Sequence, residues 1–201
     1  MKTTVDLSKG EVSRDRVLQA AFKLFVAQGY HGTSMREIGQ SAGLTPASIY
    51  NHFENKEEVF RQVLLKHHPY HQILPILETA EGDDAELLIQ GVARRVYKSI
   101  RTRTELLHLM FIELVEFEGR HFGEIFTTMS PRIYAFLNRL KASQAQLRPI
   151  PATNIMLTLI GLVMSQWILE SMFLTNIKLP SSDKHFEDAL DIYLHGILLP
   201  N

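Results

Sequence analysis

The 201-residue chain is predicted to be all-α, with an N-terminal helix-turn-helix head and a larger helical body. Three observations predict this class. Apolar residues recur at helical spacing over long stretches, no alternating apolar and polar run of useful length occurs, and glycines and prolines divide the chain at intervals that suit helix ends. The hydrophobic share of 45% and the charged share of 21% are ordinary for a globular protein.

Charge and cysteine content exclude several classes of protein. The net charge is −1, so any affinity for nucleic acid must come from a local surface. The chain has no cysteine, which excludes disulfides, thiolate nucleophiles and cysteine-bound metals. The N-terminus also lacks the apolar run of a secretory signal. We therefore expect a cytoplasmic protein without a cofactor.

One stretch, residues 150–169, carries no charge and is long enough to cross a bilayer. However, Pro151 lies at its start, Asn154 and Gln166 interrupt it, and Glu170 follows directly. A buried central helix is the favoured interpretation, because helices that are apolar all round belong in cores or interfaces. We expect no membrane partner.

Start and stop signals divide residues 13–53, called the head below, into three helices. The first helix begins at Ser13 and ends at Gly29, since glycine suits a helix C-terminus. The second begins with a capping box over Ser34–Glu37, in which each side chain bonds the other's backbone amide. A polar arm over residues 1–12, expected to be flexible, precedes the head.

The third helix follows a turn built on Gly43. Thr45 is its predicted N-cap, and Pro46 takes the first helical position, where its missing N–H costs nothing. Asn55 caps a fourth helix, which spans residues 54–68 and connects the head to the rest of the chain.

Past residue 68 the helices become longer and more apolar, and residues 69–201 are assigned to one helical body. The predicted helices of this body are 83–101, 104–118, 119–146 with a kink or restart at Ser130-Pro131, 151–176 and 182–199.

The third helix of the head has two unlike sides. On one side, Ile49 and Phe53 are expected to pack on the first two helices. The opposite side is small and uncharged, which allows close approach, whereas solvated faces usually carry lysine and glutamate. Asparagine can form two hydrogen bonds with adenine, and serine can bond either donors or acceptors on base edges. The alanine methyl can make an apolar contact with the thymine methyl. This side, predicted to enter a major groove, consists of Ala47, Ser48 and Asn51, flanked by Tyr50 and His52.

Groups suited to phosphate surround this face. Thr33, Ser34 and the free amides at the start of the second helix are expected to form an anion site. The side chains that could reach the flanking backbone are Arg36, Tyr50, His52 and Lys56.

The spacing of several short blocks carries a family resemblance. These blocks are Ala20-Ala21-Phe22, Leu24-Phe25, Gly29-Tyr30, Thr33, Arg36-Glu37-Ile38, Ala42-Gly43-Leu44, Ile49-Tyr50-Asn51-His52-Phe53 and Asn55-Lys56-Glu57. As a set, over residues 13–60, they resemble the DNA-binding head of the TetR-like bacterial transcriptional regulators. The match has no gap and covers about a quarter of the chain.

The resemblance implies which residues contact operator DNA, with Ile49 and Phe53 excluded as core. It also implies an inducer pocket in the body and a dimer in which the last two helices of each subunit form a four-helix interface. The implied DNA contacts are Thr33, Ser34, Arg36, Thr45, Pro46, Ala47, Ser48, Tyr50, Asn51, His52 and Lys56.

The final helix supports a dimer independently, because one apolar stripe runs along it at helical spacing. The stripe could instead pack on the core of its own subunit. We favour the dimer, since two heads about one DNA turn (~34 Å) apart read a palindrome with both sets of contacts. The predicted interface residues are Phe186, Leu190, Tyr193, Leu194 and Ile197.

The predicted inducer site is less specific. Carboxylates on the 104–118 helix lie in one broad arc and are either a solvated edge or, facing inward, a site for an apolar ligand that bears a cation or amine. The candidate ligand-binding residues are Tyr97, His108, Phe111, Glu113, Glu116, Gln166, Trp167 and Glu170.

Competing interpretations are an enzyme, a metal-responsive regulator and a helical interaction module without ligand control. No G-x-S-x-G, H-E-x-x-H or phosphate-cradling glycine loop is present, so no catalytic residue is assigned. His67 and His71 have the spacing of metal ligands on a helix, but Pro69 between them disfavours a continuous helix, and no metal site is assigned. The sequence therefore predicts a DNA-binding transcriptional regulator, most simply a repressor released by a small molecule.

Overall fold

The structure is a computed structural model that describes residues 9–82, 84–142, 147–174 and 182–197. The described part is helical and divides into two compact units. The first unit contains the chain up to His68 together with Glu105–Gly123, and the second contains Pro69–Thr104 and the chain from Glu124 onward. The all-α class predicted from the sequence is confirmed.

The first unit begins with four helices at the positions that the capping signals predict. Three of them differ in extent from the prediction. The first helix already begins at Lys9, inside the segment predicted to be a flexible arm, and residues 1–8 lie outside the described residues. The third ends at Tyr50, so Asn51, His52 and Phe53 follow it, and the fourth is shorter than the predicted span of 54–68. The bounds are α1 Lys9–Gln28, α2 Met35–Ala42, α3 Pro46–Tyr50 and α4 Lys56–His67.

Side-chain caps explain where these helices begin and end. Ser34 and Glu37 form the predicted capping box on α2, and Gly43 ends this helix with a φ of 68°, a left-handed conformation that favours glycine. The Thr45 side chain accepts a bond from the Ser48 amide at the start of α3. The Asn55 side chain accepts one from the Glu58 amide at the start of α4.

A fifth helix of the first unit, α7 (Thr104–Phe117), lies far along the chain from the others. The Phe117 ring packs 4.9 Å from the Tyr30 ring and 5.0 Å from the Phe60 ring, which explains why this segment joins the first unit. The predicted division of the chain at residue 69 therefore differs from the observed packing, because residues 105–123 were expected in the body but pack in the first unit.

Among the described residues, the second unit contains five α-helices and one π-helix. The α-helices are α5 Tyr70–Glu78, α6 Ala85–Ile100, α8 Phe122–Ala142, which begins in the last residues of the first unit, α9 Ala152–Leu169 and α10 Ser182–Ile197. The π-helix, Glu170–Leu174, follows α9 directly. Apolar side chains from α5, α6, α8 and α9 form one of the buried clusters of this unit, which includes Leu77, Val92, Phe136 and Met156.

Two prolines lie inside helices of this unit. Pro75 lies within α5, a helix that was not predicted because prolines such as Pro69 and Pro75 typically interrupt helices. Pro131 lies within α8, which continues through the predicted kink or restart. Polar side chains bond carbonyls near both prolines: Thr79 donates to the Pro75 carbonyl and Ser130 to that of Thr127. A proline signal alone therefore over-predicts helix ends here.

Ion pairs and a ring stack join α10 to α6. Arg94 donates to both carboxylate oxygens of Glu187, at 2.8–3.0 Å, and Arg101 pairs with Asp183. The Tyr97 and Phe186 rings are nearly parallel, with centroids 4.0 Å apart. These contacts fix one side of α10 against its own subunit.

This packing corrects the predicted dimer stripe on α10. Phe186, Leu190, Leu194 and Ile197 are 1–7% exposed within their own chain, and the Tyr193 hydroxyl donates to the Ile155 carbonyl. The apolar stripe is therefore core, as in the alternative that the sequence left open. The outward side of α10 carries Ile192, which is 73% exposed.

The apolar helix α9 is buried on one side only. Trp167 is fully buried, whereas Leu157 is 65% exposed and Ile160 is 45% exposed. By length and composition alone, Ala152–Met172 could cross a membrane, and 33% of this apolar stretch is buried within the protein. Within one subunit the predicted buried helix is therefore buried on one side, and an apolar face of α9 is exposed on the other.

Candidate nucleic-acid interface

The two sides of α3 separate as predicted. Ile49 and Phe53 are 0% and 2% exposed and pack into the core of the first unit. Ala47, Asn51 and Tyr50 are exposed on the outside, and Tyr50 is 57% exposed although it is a large aromatic residue. The outer face of α3 is therefore open and carries no lysine or glutamate.

Ser48 and Thr45 form a small cap at the start of this face. The Thr45 hydroxyl oxygen lies 2.8 Å from the Ser48 hydroxyl and accepts a bond from the Ser48 amide at 3.3 Å. This arrangement orients both hydroxyls while Ser48 stays half-exposed. His52 is half-buried beside Phe53, and the side chain of Pro46 lies outside the described residues.

The start of α2 is arranged differently from the predicted anion site. The Glu37 carboxylate accepts bonds from the Ser34 amide at 2.8 Å and the Ser34 hydroxyl at 2.7 Å, and these bonds lower the pKa of Glu37. Thr33 is 1% exposed and its hydroxyl donates to the Gly29 carbonyl. The Thr33 side chain is thus used within the turn between α1 and α2. Arg36 is exposed and remains available to contact a phosphate.

Lys56 is also bound within the protein. Its ammonium group donates to the carbonyls of Tyr30 and Thr33, each at 2.8 Å, and lies 4.1 Å from the centre of the Tyr30 ring. Burial lowers the pKa of Lys56. Lys56 therefore holds the turn between α1 and α2, a role that was not predicted, and its predicted contact with phosphate stays a prediction. This role has no local sequence signal, since its acceptors are backbone carbonyls far along the chain.

The predicted ligand residues fall into two groups. In the first unit, Glu113 is fully buried and bound by His121, Glu116 lies 2.6 Å from His31, and His108 and Phe111 are exposed. Tyr97, Gln166, Trp167 and Glu170 all belong to the second unit.

Within the second unit the structure brings Tyr97 and Glu170 together. The Tyr97 hydroxyl donates to the Glu170 carboxylate at 2.5 Å, and burial, followed by this bond, raises the pKa of Tyr97. Arg101 lies 3.2 Å from the same carboxylate and was not predicted. These partners already compensate the negative charge of Glu170, which weakens the expectation of a cationic ligand.

Trp167 is fully buried, and its indole N–H has no hydrogen-bond partner among the described residues. An unbonded buried donor costs about 1–3 kcal/mol, so an acceptor on a ligand or a water would be favourable there. Two open clefts in the same unit are lined by residues other than Trp167. One, of 440 Å³, is lined by Thr79, Glu81, Gly91 and Arg95, and the other, of 260 Å³, lies between α9 and α10.

The two histidines with metal-ligand spacing lie on different helices: His67 is the last residue of α4, and His71 lies in the first turn of α5. The His67 ring stacks on the Phe22 ring with centroids 4.0 Å apart. Among the described residues, no group of three His, Cys, Asp or Glu side chains could hold a metal ion.

Comparison with known proteins identifies the head. Residues 17–63 match the family described as bacterial regulatory proteins, tetR family. The transcriptional regulator YdgC of Bacillus subtilis is 31% identical over 100 residues, which is 50% of each chain. IcaR of Staphylococcus epidermidis, a negative transcriptional regulator of a biofilm operon, is 39% identical over 49 residues, which is 24% of this chain and 26% of IcaR. The chain thus spans about half or less of the length of these relatives.

Solved structures match nearly the whole fold. NalD of Pseudomonas aeruginosa, the secondary repressor of a multidrug efflux pump, has a TM-score of 0.67 at 23% identity, covering 94% of this chain and 98% of NalD. A tetR-family regulatory protein from Rhodococcus has a TM-score of 0.70 at 18% identity, covering 97% and 100%. The curated relatives are named as regulators and not as enzymes, which agrees with the prediction of no catalytic site. The head, residues 17–63, therefore belongs to the tetR family of bacterial regulatory proteins, and the chain as a whole shares the fold of proteins assigned to that family.

Proposed function

We propose that the chain is a cytoplasmic transcriptional repressor that binds a palindromic operator as a homodimer and leaves it when a small apolar ligand binds. The open face of α3 carries this proposal: Ala47, Ser48 and Asn51 are accessible while Ile49 and Phe53 hold the helix from behind. IcaR and NalD, which are named as a negative regulator and a repressor, favour repression over activation.

The proposed dimer uses the outward faces of α9 and α10. Leu157, Ile160 and Ile192 are exposed there, and the cleft between the two helices is lined by Thr158 and Ile192 among others. Large exposed apolar patches on helices mark interaction sites, and a second copy supplies a matching apolar face by symmetry. This face replaces the stripe of Phe186, Leu190, Leu194 and Ile197, which is core.

The proposed ligand site lies in the second unit near Trp167. Its unbonded N–H favours a ligand that carries a hydrogen-bond acceptor in an apolar frame. Tyr97 and Gln166 remain candidates for its walls. A ligand shifts the protein between two packings only by its difference in affinity for them, so DNA and ligand must weaken each other's binding by the same factor.

The base-reading role is tested with Asn51→Ala. After selection of the operator from a random duplex pool, this variant is expected to lose about 1–3 kcal/mol of preference at one base pair in each half-site and to bind other positions as before. Titration of single-substituted duplexes measures this. Asn138→Ala, an exposed asparagine on α8, is the matched control and should bind like the unmodified protein. An unselective pool, or unchanged preference in Asn51→Ala, would contradict the proposal.

Lys56→Met tests whether Lys56 supports the head or contacts DNA. The variant keeps the apolar stem but removes both bonds to the Tyr30 and Thr33 carbonyls, so the free energy of unfolding should fall by about 1.5–3 kcal/mol. Its slope of log affinity against log salt should be unchanged, whereas Arg36→Gln should reduce that slope by about 1. A reduced slope with unchanged stability in Lys56→Met would assign Lys56 to phosphate instead.

A further inference from the structure

The end of α7 contains a buried carboxylate with an unusual set of partners. Glu113 is 0% exposed, and its two oxygens accept bonds from the backbone amide and the ring Nδ1 of His121, each at 2.7 Å. The turn between them uses left-handed backbone at Glu118, with a φ of 55°, and at Gly119, with a φ of 77°. A buried carboxylate is costly without such partners, so Glu113 and His121 hold this turn in one conformation.

The same turn reaches the first turn of α4. The other ring nitrogen of His121, Nε2, lies 3.7 Å from the Glu57 carboxylate. Arg120 donates to that carboxylate at 3.0 Å. Both nitrogens of His121 therefore face carboxylates, Glu113 from α7 and Glu57 from α4, and Arg120 adds a second link to α4. Asn55, which caps α4, lies two residues before Glu57, and residues 51–54 connect it to the end of α3.

A second set of contacts joins α7 to the turn between α1 and α2. The His31 ring nitrogen lies 2.6 Å from the Glu116 carboxylate. The neighbouring Phe117 ring packs against Tyr30, whose carbonyl is one of the two that bind Lys56. The turn that precedes α2 and the turn that begins α4 are thus both held by one short segment.

Chain connectivity gives this segment a further property. Residues 105–123 enter the first unit from α6 and leave it into α8, both of which belong mainly to the second unit. The segment is therefore joined covalently, at both ends, to helices of the unit proposed to bind ligand. A change in packing along α6 or α8 can therefore reach the first unit through this segment, in addition to the link between α4 and α5.

We propose that Glu113, Glu116, Arg120 and His121 form a clasp, a set of positioning residues that holds α3 in its DNA-reading orientation through the turns on either side. Withdrawal of this clasp is the step by which the ligand releases operator, in addition to any movement of α4. This inference rests on the proposed function, because its test measures operator affinity. Its physical basis is that Glu113 is buried and its charge is compensated by His121, so breaking these bonds is costly and the segment is held in the arrangement seen here.

Two variants test the clasp. His121→Leu removes the ring nitrogens that face Glu113 and Glu57, and Arg120→Ala removes an exposed ion pair with Glu57, of a kind that usually contributes little to stability. We expect operator affinity to fall about tenfold in the first and about threefold in the second, alike for all duplexes and with an unchanged salt slope. Hydrogen exchange should become faster in residues 30–34 and 55–60 and stay unchanged in α6 and α10. Base preference stays as in the unmodified protein.

The matched control is Arg132→Ala, which breaks an exposed arginine–carboxylate pair of the same 3.0 Å length, with Glu78, in the second unit. It should change neither affinity nor exchange in the head. Equal behaviour of Arg120→Ala and Arg132→Ala would overturn the clasp, and so would a loss of affinity without faster exchange. If His121→Leu does not fold, Arg120→Ala alone decides. If the unmodified protein binds no duplex, the proposed function fails, whereas the exchange experiment still judges the clasp.

Discussion

Replacement of Ile192 by aspartate is expected to leave a monomer that binds a full operator no more tightly than a half-site. Ile192 is 73% exposed on the outward side of α10, so aspartate costs little in the isolated subunit. In a dimer the same position would bury an unpaired charge against the partner, next to the exposed apolar side of α9. Sedimentation equilibrium should report the mass of one chain at micromolar concentration.

The effect on DNA binding is large because the second half-site is bound through an intramolecular step. Linking two heads raises overall affinity about 10²–10⁴-fold without new contacts, and this factor should disappear in Ile192→Asp. Leu87→Asp is the control, since Leu87 is a half-exposed leucine on α6, away from the proposed interface. A stable dimer of Ile192→Asp, or an unchanged ratio of full-site to half-site affinity, would remove α10 from the interface.

The caps and ends of the head could be predicted from sequence because each depends on neighbours within a few residues. Ser34 with Glu37, Thr45 with Ser48 and Asn55 with Glu58 are contacts between residues three apart, and their residue types are specific. The two sides of α3 followed from helical periodicity, because Ile49 and Phe53 lie one turn apart.

Contacts between distant segments were not predictable in the same way. The stripe of Phe186, Leu190 and Ile197 was correctly read as a packing face, but periodicity cannot distinguish packing on the same chain from packing on a copy. The role of Lys56 was missed because its acceptors are backbone carbonyls, which have no residue signature. The pairing of Glu113 with His121 and that of Glu170 with Arg101 were not predicted, because each partner lies on a different helix or turn from its carboxylate.

Phe60→Ala should be among the most destabilising single changes in the first unit. Phe60 is fully buried on α4, and its ring lies 5.4 Å from that of Phe25 on α1 and 5.0 Å from that of Phe117 at the end of α7. The truncation leaves a cavity where these three helices meet, and substitutions of this kind cost about 3–5 kcal/mol. Because the ring joins α7 to α4, the loss should also loosen the segment that carries Glu113 and His121.

Denaturant unfolding followed by two signals measures this loss and locates it. The only tryptophan of the chain, Trp167, lies in the second unit, so its fluorescence reports that unit, whereas far-ultraviolet circular dichroism reports all helices. In Phe60→Ala the circular dichroism should begin to fall at lower denaturant than the fluorescence, since the first unit is the part that has been weakened. Phe126→Ala removes the same ring from a position that is 57% exposed and should cost less than about 0.5 kcal/mol. A loss in Phe60→Ala as small as that of the control would mean that the aromatic cluster does not hold α7 to the head, and the clasp would then lack the packing on which it depends.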